Sequence, residues 1–295
     1  MNQRENLTVD GVTIMEDKSR EEIIQEIIQD VLREFEDREK RWESGYKTID
    51  RITGGFYPGE LTLIAGRPSA GKTAFTINLA RNMAILNGYS TVYVELEMRG
   101  KHIVERLISL ETQIGIQKIR NGQLTDEEME RIQLAQVTIG ESKLFIDDNP
   151  ESTVSEVKNR SESVKNKRGL DIVIVDCVQL LRPFKHEERR YMEYPDLLIS
   201  LKRLAAELNV HVVVVWQLPV SSRMVGSEPL TLRDFRDMGV PEQFPDIIMV
   251  LNRDIDNQSE KEEIAEISIL KNRHGPLGTI RLLWDPECLS FRDAP

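Results

Sequence analysis

LTLIAGRPSAGKTAF, residues 61 to 75, is the stretch that decides the fold of this chain. A short apolar run enters a loop that matches G-x-x-x-x-G-K-[ST] at Gly66, Gly71, Lys72 and Thr73, and apolar residues at helical spacing follow in TAFTINLARNMAIL. This order predicts a strand, a phosphate-binding loop and a helix. A glycine-rich turn between a strand and a helix is the plainer alternative. The correct context on both sides favours a nucleoside triphosphate site.

The chemistry of such a loop explains its residue types. Glycines let backbone N–H groups curl around an anion, and the start of the helix adds positive partial charge. Lys72 is predicted to reach the terminal phosphates, and the Thr73 hydroxyl to ligate Mg²⁺. The residues predicted to contact the nucleotide are those of the loop: Gly66, Arg67, Pro68, Ser69, Ala70, Gly71, Lys72, Thr73 and Ala74.

Composition limits the class of protein. The chain has 295 residues, of which 40% are apolar, and this is enough for a folded core. No apolar run approaches the roughly 20 residues that span a bilayer, and the polar N-terminus does not resemble a signal peptide. We therefore expect a soluble, cytoplasmic protein without membrane partners. The formal net charge of −11 argues against broad coating of nucleic acid by the whole surface. Cys177 and Cys288 lie in or beside apolar segments and are expected to be buried thiols.

The N-terminal segment has its own pattern. Residues 1 to 18 show no periodicity, whereas apolar residues recur at helical spacing from Arg20 to Trp42. This predicts an amphipathic helix, which Ser19 and Glu22 could cap. Its apolar stripe packs either on its own domain or on a neighbouring subunit. We expect residues 1–42 to form an arm and an amphipathic helix, and residues 43–295 to form an ATPase domain.

The remaining chain alternates predicted strands and helices. After a short helix within residues 46 to 59, strands are expected at residues 61–65, 90–95, 144–146, 171–176 and 211–216, and further strands follow residue 246. Helices are expected at residues 106–111, 125–137, 153–167 and 197–208. The early strands are continuous apolar runs, which is typical of a parallel sheet covered on both faces. The later strands lack intervening helices. The predicted fold is therefore α/β, a mostly parallel sheet with an antiparallel extension at one edge.

Polar residues that close the apolar strands are candidates for catalysis, because open α/β sheets bind ligands at the carboxyl ends of their strands. Asp176 closes DIVIVD and is expected to hold Mg²⁺. Glu95 and Glu97 share a face at the end of another predicted strand, and alternation alone cannot choose between them. Glu97 lies further toward the carboxyl end and is our candidate to polarise the attacking water. Gln217 closes HVVVVW, where an amide could sense the terminal phosphate. The alternatives are a turn-capping role for Asp176, an exposed strand carboxylate for Glu95 or Glu97, and a polar strand end without a role for Gln217.

Two cations stand at the end of a late strand. Lys271 and Arg273 in ISILKNRHGPLG are two residues apart and lead into a Gly-Pro turn. Cations placed so rigidly would suit the phosphate charge of a transition state, and would act on a neighbour's site if their own is out of reach. A solvated basic hairpin tip is the alternative. The four histidines have no partners at ligand spacing, so no metal is assigned to them.

Seven blocks in order resemble the ATPase domain of the DnaB family of hexameric replicative DNA helicases, over about residues 45 to 292. They are GRPSAGKTAF, ELEM, IDDNP, DIVIVDCVQLL, SLKRLAAELNVHVVVVWQL, LRDFRDMGVPEQFPDIIMVLNRD and LKNRHGPLGTI. The resemblance implies a RecA-like core and ATP-driven 5′ to 3′ movement along single-stranded DNA as a ring of six. It assigns the catalytic base to Glu97, coupling to Gln217 and the pair that enters the adjacent subunit's site to Lys271 and Arg273.

The same resemblance implies the DNA contacts and the partners. The block RDMG, with Arg236, Asp237 and Gly239, matches the central loop that grips the DNA backbone, and such phosphate contacts carry no sequence preference. The resemblance does not extend to the helical N-terminal domain of the family, and residues 20–42 resemble its linker helix. A helicase loader or a primase is the further partner that the resemblance suggests. The alternative function is a RecA-like ATPase that assembles or switches without unwinding DNA.

Overall fold

The computed structural model describes residues 41–182, 194–219, 231–237, 240–253 and 263–294, with a few helical positions nearer the N-terminus. The chain divides into two units, residues 1–40 and 41–295. In the first unit the described positions are all helical and exposed, in agreement with the helix predicted there: Glu21, Ile24, Gln25, Ile28 and Gln29. The predicted cap of that helix, Ser19 and Glu22, lies outside the described residues.

The second unit is built on one nine-stranded sheet with the order β3-β2-β4-β5-β1-β6-β7-β8-β9. Strands β1 to β6 pair in parallel, whereas β7, β8 and β9 add an antiparallel extension at one edge. The predicted fold class is confirmed. The strands are β1 Leu61–Gly66, β2 Thr91–Glu95, β3 Leu144–Asp147, β4 Ile172–Asp176, β5 His211–Gln217, β6 Ile247–Arg253, β7 Glu263–Asn272, β8 Gly278–Asp285 and β9 Ser290–Asp293.

Helices cover both faces of this sheet. They are α1 Lys47–Thr53, α2 Lys72–Arg81, α3 Gly100–Thr112, α4 Ile116–Asn121, α5 Asp126–Glu141, α6 Val154–Arg168, α7 Tyr194–Leu208 and α8 Leu232–Asp237. A π-helical turn at Asn82–Leu86 continues α2, and a 3₁₀ turn at Val178–Leu180 follows β4. None of the described helices has the length and hydrophobicity needed to cross a membrane.

The buried strands explain why the sheet is parallel. Every residue of β1, β2 and β4 is buried, so side chains on both faces of these strands contribute to a core. Alternate residues divide between two apolar clusters: Leu63 of β1 packs in one cluster and Ile64 in the other. Because both faces are covered, functional side chains are left to the ends of the strands.

Local signals set several helix boundaries. Thr125 accepts a hydrogen bond from the N–H of Glu128 at 3.3 Å, and the Glu128 carboxylate accepts from the N–H of Thr125 at 2.9 Å. These reciprocal hydrogen bonds form a capping box at the start of α5. Helix α3 begins at Gly100, earlier than its predicted start at residue 106. Helix α4 has six residues and was not predicted, because so short a helix gives too little periodicity to detect.

The predicted linker helix ends before Trp42. This residue pairs with Phe56 in an antiparallel bridge, with N···O distances of 2.9 Å in both directions. Trp42 is only 9% exposed and packs in the core of the second unit. Burial of the indole therefore makes Trp42 part of the sheet-bearing unit. The boundary between the arm and the ATPase domain, predicted at residue 42, stays a prediction.

Candidate functional site

A cavity of about 410 Å³ opens at the carboxyl ends of the parallel strands. The loop after β1 forms one wall, and Asp176 of β4 and Gln217 of β5 lie beside it. Glu97, just beyond β2, faces the same cavity. The pairing register brings Gln217 directly opposite Gly66, and Glu95 directly opposite Asp176. The sheet therefore assembles the predicted strand-end residues into one site.

The phosphate loop presents its glycine-rich end to the cavity. Six of its predicted contact residues line the cavity, namely Pro68, Ser69, Gly71, Lys72, Thr73 and Ala74. Gly71 immediately precedes α2 and has a φ of +97°, a conformation that favours glycine. Because glycine brings no capping side chain, the N–H groups of the first turn can be directed at an anion. Gly66 is also required, since a Cβ there would lie 2.8 Å from the carbonyl oxygen of Leu251.

Lys72 is held inside the loop. Its ammonium donates to the carbonyl oxygen of Arg67 at 2.7 Å, and only 7% of the residue is exposed. Burial lowers its pKa, and the carboxylate of Asp176 opposes that shift. A phosphate in the cavity would compensate the buried positive charge better than one carbonyl oxygen can.

Asp176 and Thr73 form the oxygen pair suited to Mg²⁺. Asp176 is 5% exposed; burial raises its pKa, and hydrogen bonds from Thr73 and Tyr93 oppose that rise. The Tyr93 hydroxyl lies 3.3 Å from Asp176 Oδ2 and the Thr76 hydroxyl 3.4 Å from it. Carboxylate and hydroxyl oxygens are hard donors of the kind that Mg²⁺ prefers, and a cation would relieve the cost of the buried charge. These residues fit the ion.

The described residues contain no cluster of three or more His, Cys, Asp and Glu side chains that could hold a metal. A Mg²⁺ ion at Thr73 and Asp176 would therefore share its coordination with phosphate and water, as this ion usually does.

Glu95 and Glu97 have different environments, which alternation could not reveal. Strand β2 ends at Glu95, so Glu97 lies in the following turn and is exposed to the cavity. Glu95 is 1% exposed, and its Oε1 accepts from the N–H groups of Glu97 at 2.8 Å and Met98 at 2.9 Å. Burial is the main cause that raises the pKa of Glu95 to about 7, and the negative charge of the nearby Asp176 is the second cause. Glu95 thus holds the turn that presents Glu97.

Gln217 is positioned through its backbone. Its side chain is exposed and lines the cavity. Gln179, in the 3₁₀ turn after β4, donates from Nε2 to the Gln217 carbonyl at 2.8 Å and accepts from the Gln217 N–H at 3.1 Å. Beyond Pro219 the chain passes outside the described residues. Gln179 had no signal in the sequence, because its contact spans 38 residues.

Several further residues of the cavity were missed by sequence reasoning. Arg253 closes β6, donates to the Ser69 carbonyl at 3.1 Å and lies over the Trp284 ring at 5.0 Å from its centroid. The rule that ligands bind at the carboxyl ends of strands could have identified Arg253. No local sequence pattern indicates that Trp284 lines the cavity. Cys177 also lines the cavity, and its burial raises the pKa of the thiol to about 12. Cys177 and Cys288 are both buried free thiols, as predicted.

Lys271 and Arg273 lie apart from the cavity: among the described residues that line it, neither is found. The Lys271 ammonium donates to the carbonyl oxygens of Glu242 at 2.8 Å and Gln243 at 3.2 Å. Arg273, in the turn between β7 and β8, lies 2.8 Å from a carboxylate oxygen of Asp246. Their action on a neighbouring site stays a prediction.

The predicted DNA residues are described only in part. Arg236 lies in the short helix α8, is exposed, and pairs with Glu242 at 2.8 Å. Asp237 ends this helix, but its side chain and all of Gly239 lie outside the described residues. The RDMG block therefore begins on the last turn of α8, between β5 and β6.

Comparison with known proteins places these features in context. The family described as DnaB-like helicase C terminal domain matches residues 42–293. A replicative DNA helicase DnaB of Geobacillus stearothermophilus is 34% identical over 251 residues, which cover 84% of this chain and 55% of that protein. Replicative DNA helicase DnaC of Bacillus subtilis (strain 168) matches at the same identity and coverage. The chain thus spans about half the length of these curated relatives.

Several solved structures are also similar to this chain. One, described as an ATPase domain, superposes with a TM-score of 0.84 at 32% identity, and the match covers 95% of this chain and 100% of that one. A DnaB-like replicative helicase, described together with its interactions with primase, gives a TM-score of 0.82 at 32% identity, covering 92% of this chain and 67% of that one. A KaiC-like protein of Pyrococcus horikoshii OT3, at 18% identity, a TM-score of 0.59 and coverage of 87% and 99%, shares the fold.

Proposed function

Because the chain belongs to the DnaB-like helicase C terminal domain family, we propose that it hydrolyses ATP at the subunit interfaces of a ring and moves 5′ to 3′ along single-stranded DNA. One observation carries the proposal. The phosphate loop, Asp176, Glu97 and Gln217 face a single cavity at one edge of the sheet. These are the groups needed to bind a triphosphate, activate a water and sense the outcome.

Each residue has a distinct role in ATP hydrolysis. The first turn of α2 and the Lys72 ammonium bind the phosphates, after Lys72 exchanges the Arg67 carbonyl for phosphate oxygens. Thr73 and Asp176 would hold Mg²⁺, which would supply positive charge to offset the charge on the phosphate oxygens. Glu97 accepts a proton from the attacking water, and its exposure to the cavity lets water reach it. Gln217 hydrogen-bonds the terminal phosphate or the water and passes its state to the following segment.

The hairpin cations lie away from the cavity of their own subunit, which supports a shared site. Among the described residues that line this cavity, neither Lys271 nor Arg273 is found. In a closed ring each hairpin faces the next subunit, where these cations stabilise the charge on the transferring phosphoryl group. The proposed assembly is a homo-oligomeric ring of six, by family resemblance.

Single-stranded DNA is the proposed track. Its binding rests on particular residues, because the net charge of −11 disfavours binding by the whole surface. Arg236, Asp237 and the backbone at Gly239 are proposed to grip phosphates without regard to sequence. A helicase loader or a primase is a further candidate partner; the relative of known structure described with primase makes primase the first to test.

ATP turnover and solution mass, measured together, test this function. We expect turnover to rise when single-stranded DNA is added and light scattering to report a ring in the presence of ATP and Mg²⁺. Arg236→Ala should reduce the stimulation by DNA and leave turnover without DNA unchanged. Turnover that does not respond to DNA, with Arg236→Ala behaving as wild type, contradicts the proposal. Strong ATP turnover with no displacement of a paired strand would instead indicate an ATPase that does not unwind DNA.

A further inference from the structure

Asp246 is a buried carboxylate at the junction of several elements. It immediately precedes β6 and is 1% exposed. Its Oδ2 accepts from the N–H of Leu61, at the start of β1, at 2.8 Å, and from the Lys202 ammonium of α7 at 2.6 Å. Its other carboxylate oxygen, Oδ1, lies 2.8 Å from Nη1 of Arg273. The backbone contributes as well, since the Arg273 N–H donates to the Asp246 carbonyl oxygen at 3.2 Å.

The two oxygens of Asp246 therefore have different partners. Oδ2 joins two elements of the core, whereas Oδ1 faces the turn that carries Arg273. Oδ1 is buried and accepts no hydrogen bond of good geometry among the described residues, so the ion pair with Arg273, 2.8 Å away, is the contact that offsets its charge. A single buried negative charge thus holds one core cation and one cation of the hairpin.

Arg273 keeps capacity for a second anion. Its side chain is 51% exposed, although its partner carboxylate is almost fully buried. A guanidinium carries five N–H donors in a rigid, planar arrangement. The ion pair with Asp246 holds one end of the group beside the buried carboxylate and leaves other donors at the surface. An arginine on a hairpin turn would otherwise lose side-chain rotamer entropy on binding a phosphate.

We propose that Asp246 is a positioning residue that holds the guanidinium of Arg273 in the orientation needed to reach the phosphate bound by the adjacent subunit. This inference rests on the proposed function, because it requires Arg273 to act in trans. Asp246 contacts neither ATP nor the reacting atoms. It acts through Arg273, and its loss should therefore impair the neighbour's site and spare its own.

A subunit-mixing experiment with Asp246→Asn tests this role. Asparagine keeps an acceptor for the Leu61 N–H and removes the negative charge. We expect kcat of the pure variant to fall by about tenfold while its KM for ATP changes by less than about twofold, since the loss is confined to the transition state. Mixing with Glu97→Gln protein should restore turnover, because some interfaces then combine an intact Glu97 with an intact Asp246 and Arg273 pair. Unchanged kcat, or mixtures without rescue, would overturn the inference.

Lys202→Gln is the matched control, since it breaks the ion pair at the other oxygen of the same carboxylate. It should lower the melting temperature and leave kcat within about twofold. An equal loss of kcat in Lys202→Gln would indicate a general structural role for Asp246 and contradict the proposal. If Asp246→Asn does not fold, Asp246→Asn/Lys202→Met removes both buried charges together and is better tolerated. This double variant should show the same rescue by Glu97→Gln protein.

A comparison with Arg273→Ala separates the two proposals. Asp246→Asn should cause no further loss in an Arg273→Ala background, because the two residues act as one unit. If Arg273→Ala retains full turnover, action in trans is wrong and the proposed function fails with it. If Arg273→Ala loses turnover but Asp246→Asn does not, only the positioning role is wrong.

Discussion

Gln179 and Gln217 form a reciprocal pair: Gln179 Nε2 donates to the Gln217 carbonyl oxygen at 2.8 Å, and the Gln217 N–H donates to Gln179 Oε1 at 3.1 Å. The pair fixes the backbone where β5 ends, beside the cavity that Gln217 lines. It ties the turn after Asp176 to the residue proposed to sense the terminal phosphate. Gln179 can therefore influence catalysis without touching the nucleotide.

Gln179→Ala should lower DNA-stimulated kcat by about fivefold, which corresponds to about 1 kcal/mol for the lost hydrogen bonds. Nucleotide affinity should stay within about twofold, because the phosphate loop is untouched. Gln179→Glu keeps the acceptor for the Gln217 N–H but loses the donor, so an intermediate effect is expected. Steady-state ATP turnover with and without DNA measures both variants. Wild-type kcat in Gln179→Ala would contradict a positioning role.

Lys72→Ala should abolish ATP binding at concentrations that saturate the wild type, with an affinity loss of more than about tenfold. The fold should survive, because the change removes a buried charge that donates to a carbonyl oxygen of its own loop, that of Arg67. Equilibrium titration with a fluorescent ATP analogue gives the affinity. Lys101→Ala, at a lysine whose side chain is 78% exposed, is the control and should bind normally. Wild-type affinity in Lys72→Ala would be incompatible with the site.

Glu97→Gln should reduce kcat by about 10²-fold while ATP binding is retained, since it removes the proton acceptor and keeps the shape. Single-turnover hydrolysis and nucleotide titration separate the two effects. Glu97 lies in the turn beyond β2 and faces the cavity, so the substitution should leave the melting temperature unchanged. Turnover at the wild-type rate would assign the base elsewhere.

Glu95 should make stability depend on pH. Its pKa is raised by burial from an ordinary value of 4.5 to about 7. Between these values the folded state binds more protons than the unfolded state, so this group lowers the free energy of unfolding as pH rises through the window. Glu95→Gln should therefore exceed wild type in stability above pH 7, by up to about 3 kcal/mol, and match it near pH 4.5. Urea denaturation at both pH values measures this.

Glu97→Gln is the control for that pH effect, because it changes an exposed carboxyl group two residues away. Its stability difference from wild type should be small at both pH values. A Glu95→Gln variant with the same difference from wild type at both pH values would show that Glu95 does not titrate as described.

The N-terminal segment should contribute to assembly. Ile24 and Ile28 are 43% and 45% exposed at helical spacing, and apolar residues so placed are expected to pack on a neighbouring subunit. Ile24→Glu/Ile28→Glu should lower the solution mass measured by light scattering with ATP and Mg²⁺. Gln25→Glu/Gln29→Glu adds the same charge at the same spacing on another face and should assemble normally. Equal mass for both variants would place the stripe on its own domain.

Deletion of the segment should end at residue 40. Trp42 bridges Phe56 and is buried, so a deletion through Trp42 would destabilise the second unit and confuse assembly with folding. The shorter deletion should lower the oligomeric mass and leave the melting temperature of the second unit unchanged.

Local patterns predicted much of this architecture. The glycines and Lys72 of the phosphate loop, the capping box of Thr125 and the continuous apolar strands each depend on neighbours in sequence, so their structure could be read from short windows. The rule that ligands bind at strand ends then predicted that Asp176 and Gln217 lie near one another. These predictions needed only the period of each element and its boundaries.

Contacts between distant segments could not be predicted in this way. Asp246 bonds Leu61 across 185 residues, and Arg253 contacts Trp284 in another strand. Neither pairing leaves a local signal. Alternation also failed to separate Glu95 from Glu97, because β2 ends between them and the turn directs the second carboxylate to the cavity. Tertiary packing, and not local preference, decides these positions.

Mixing Arg273→Ala protein with Glu97→Gln protein tests most directly whether each active site is completed by the adjacent subunit. Each variant alone should be almost inactive while still binding ATP. In mixed rings some interfaces pair an intact Glu97 with an intact Arg273, so ATP turnover should rise well above that of either variant, with a maximum near equal proportions. Turnover that stays at the sum of the two pure variants at every ratio, in rings shown by light scattering to have exchanged subunits, would contradict the account.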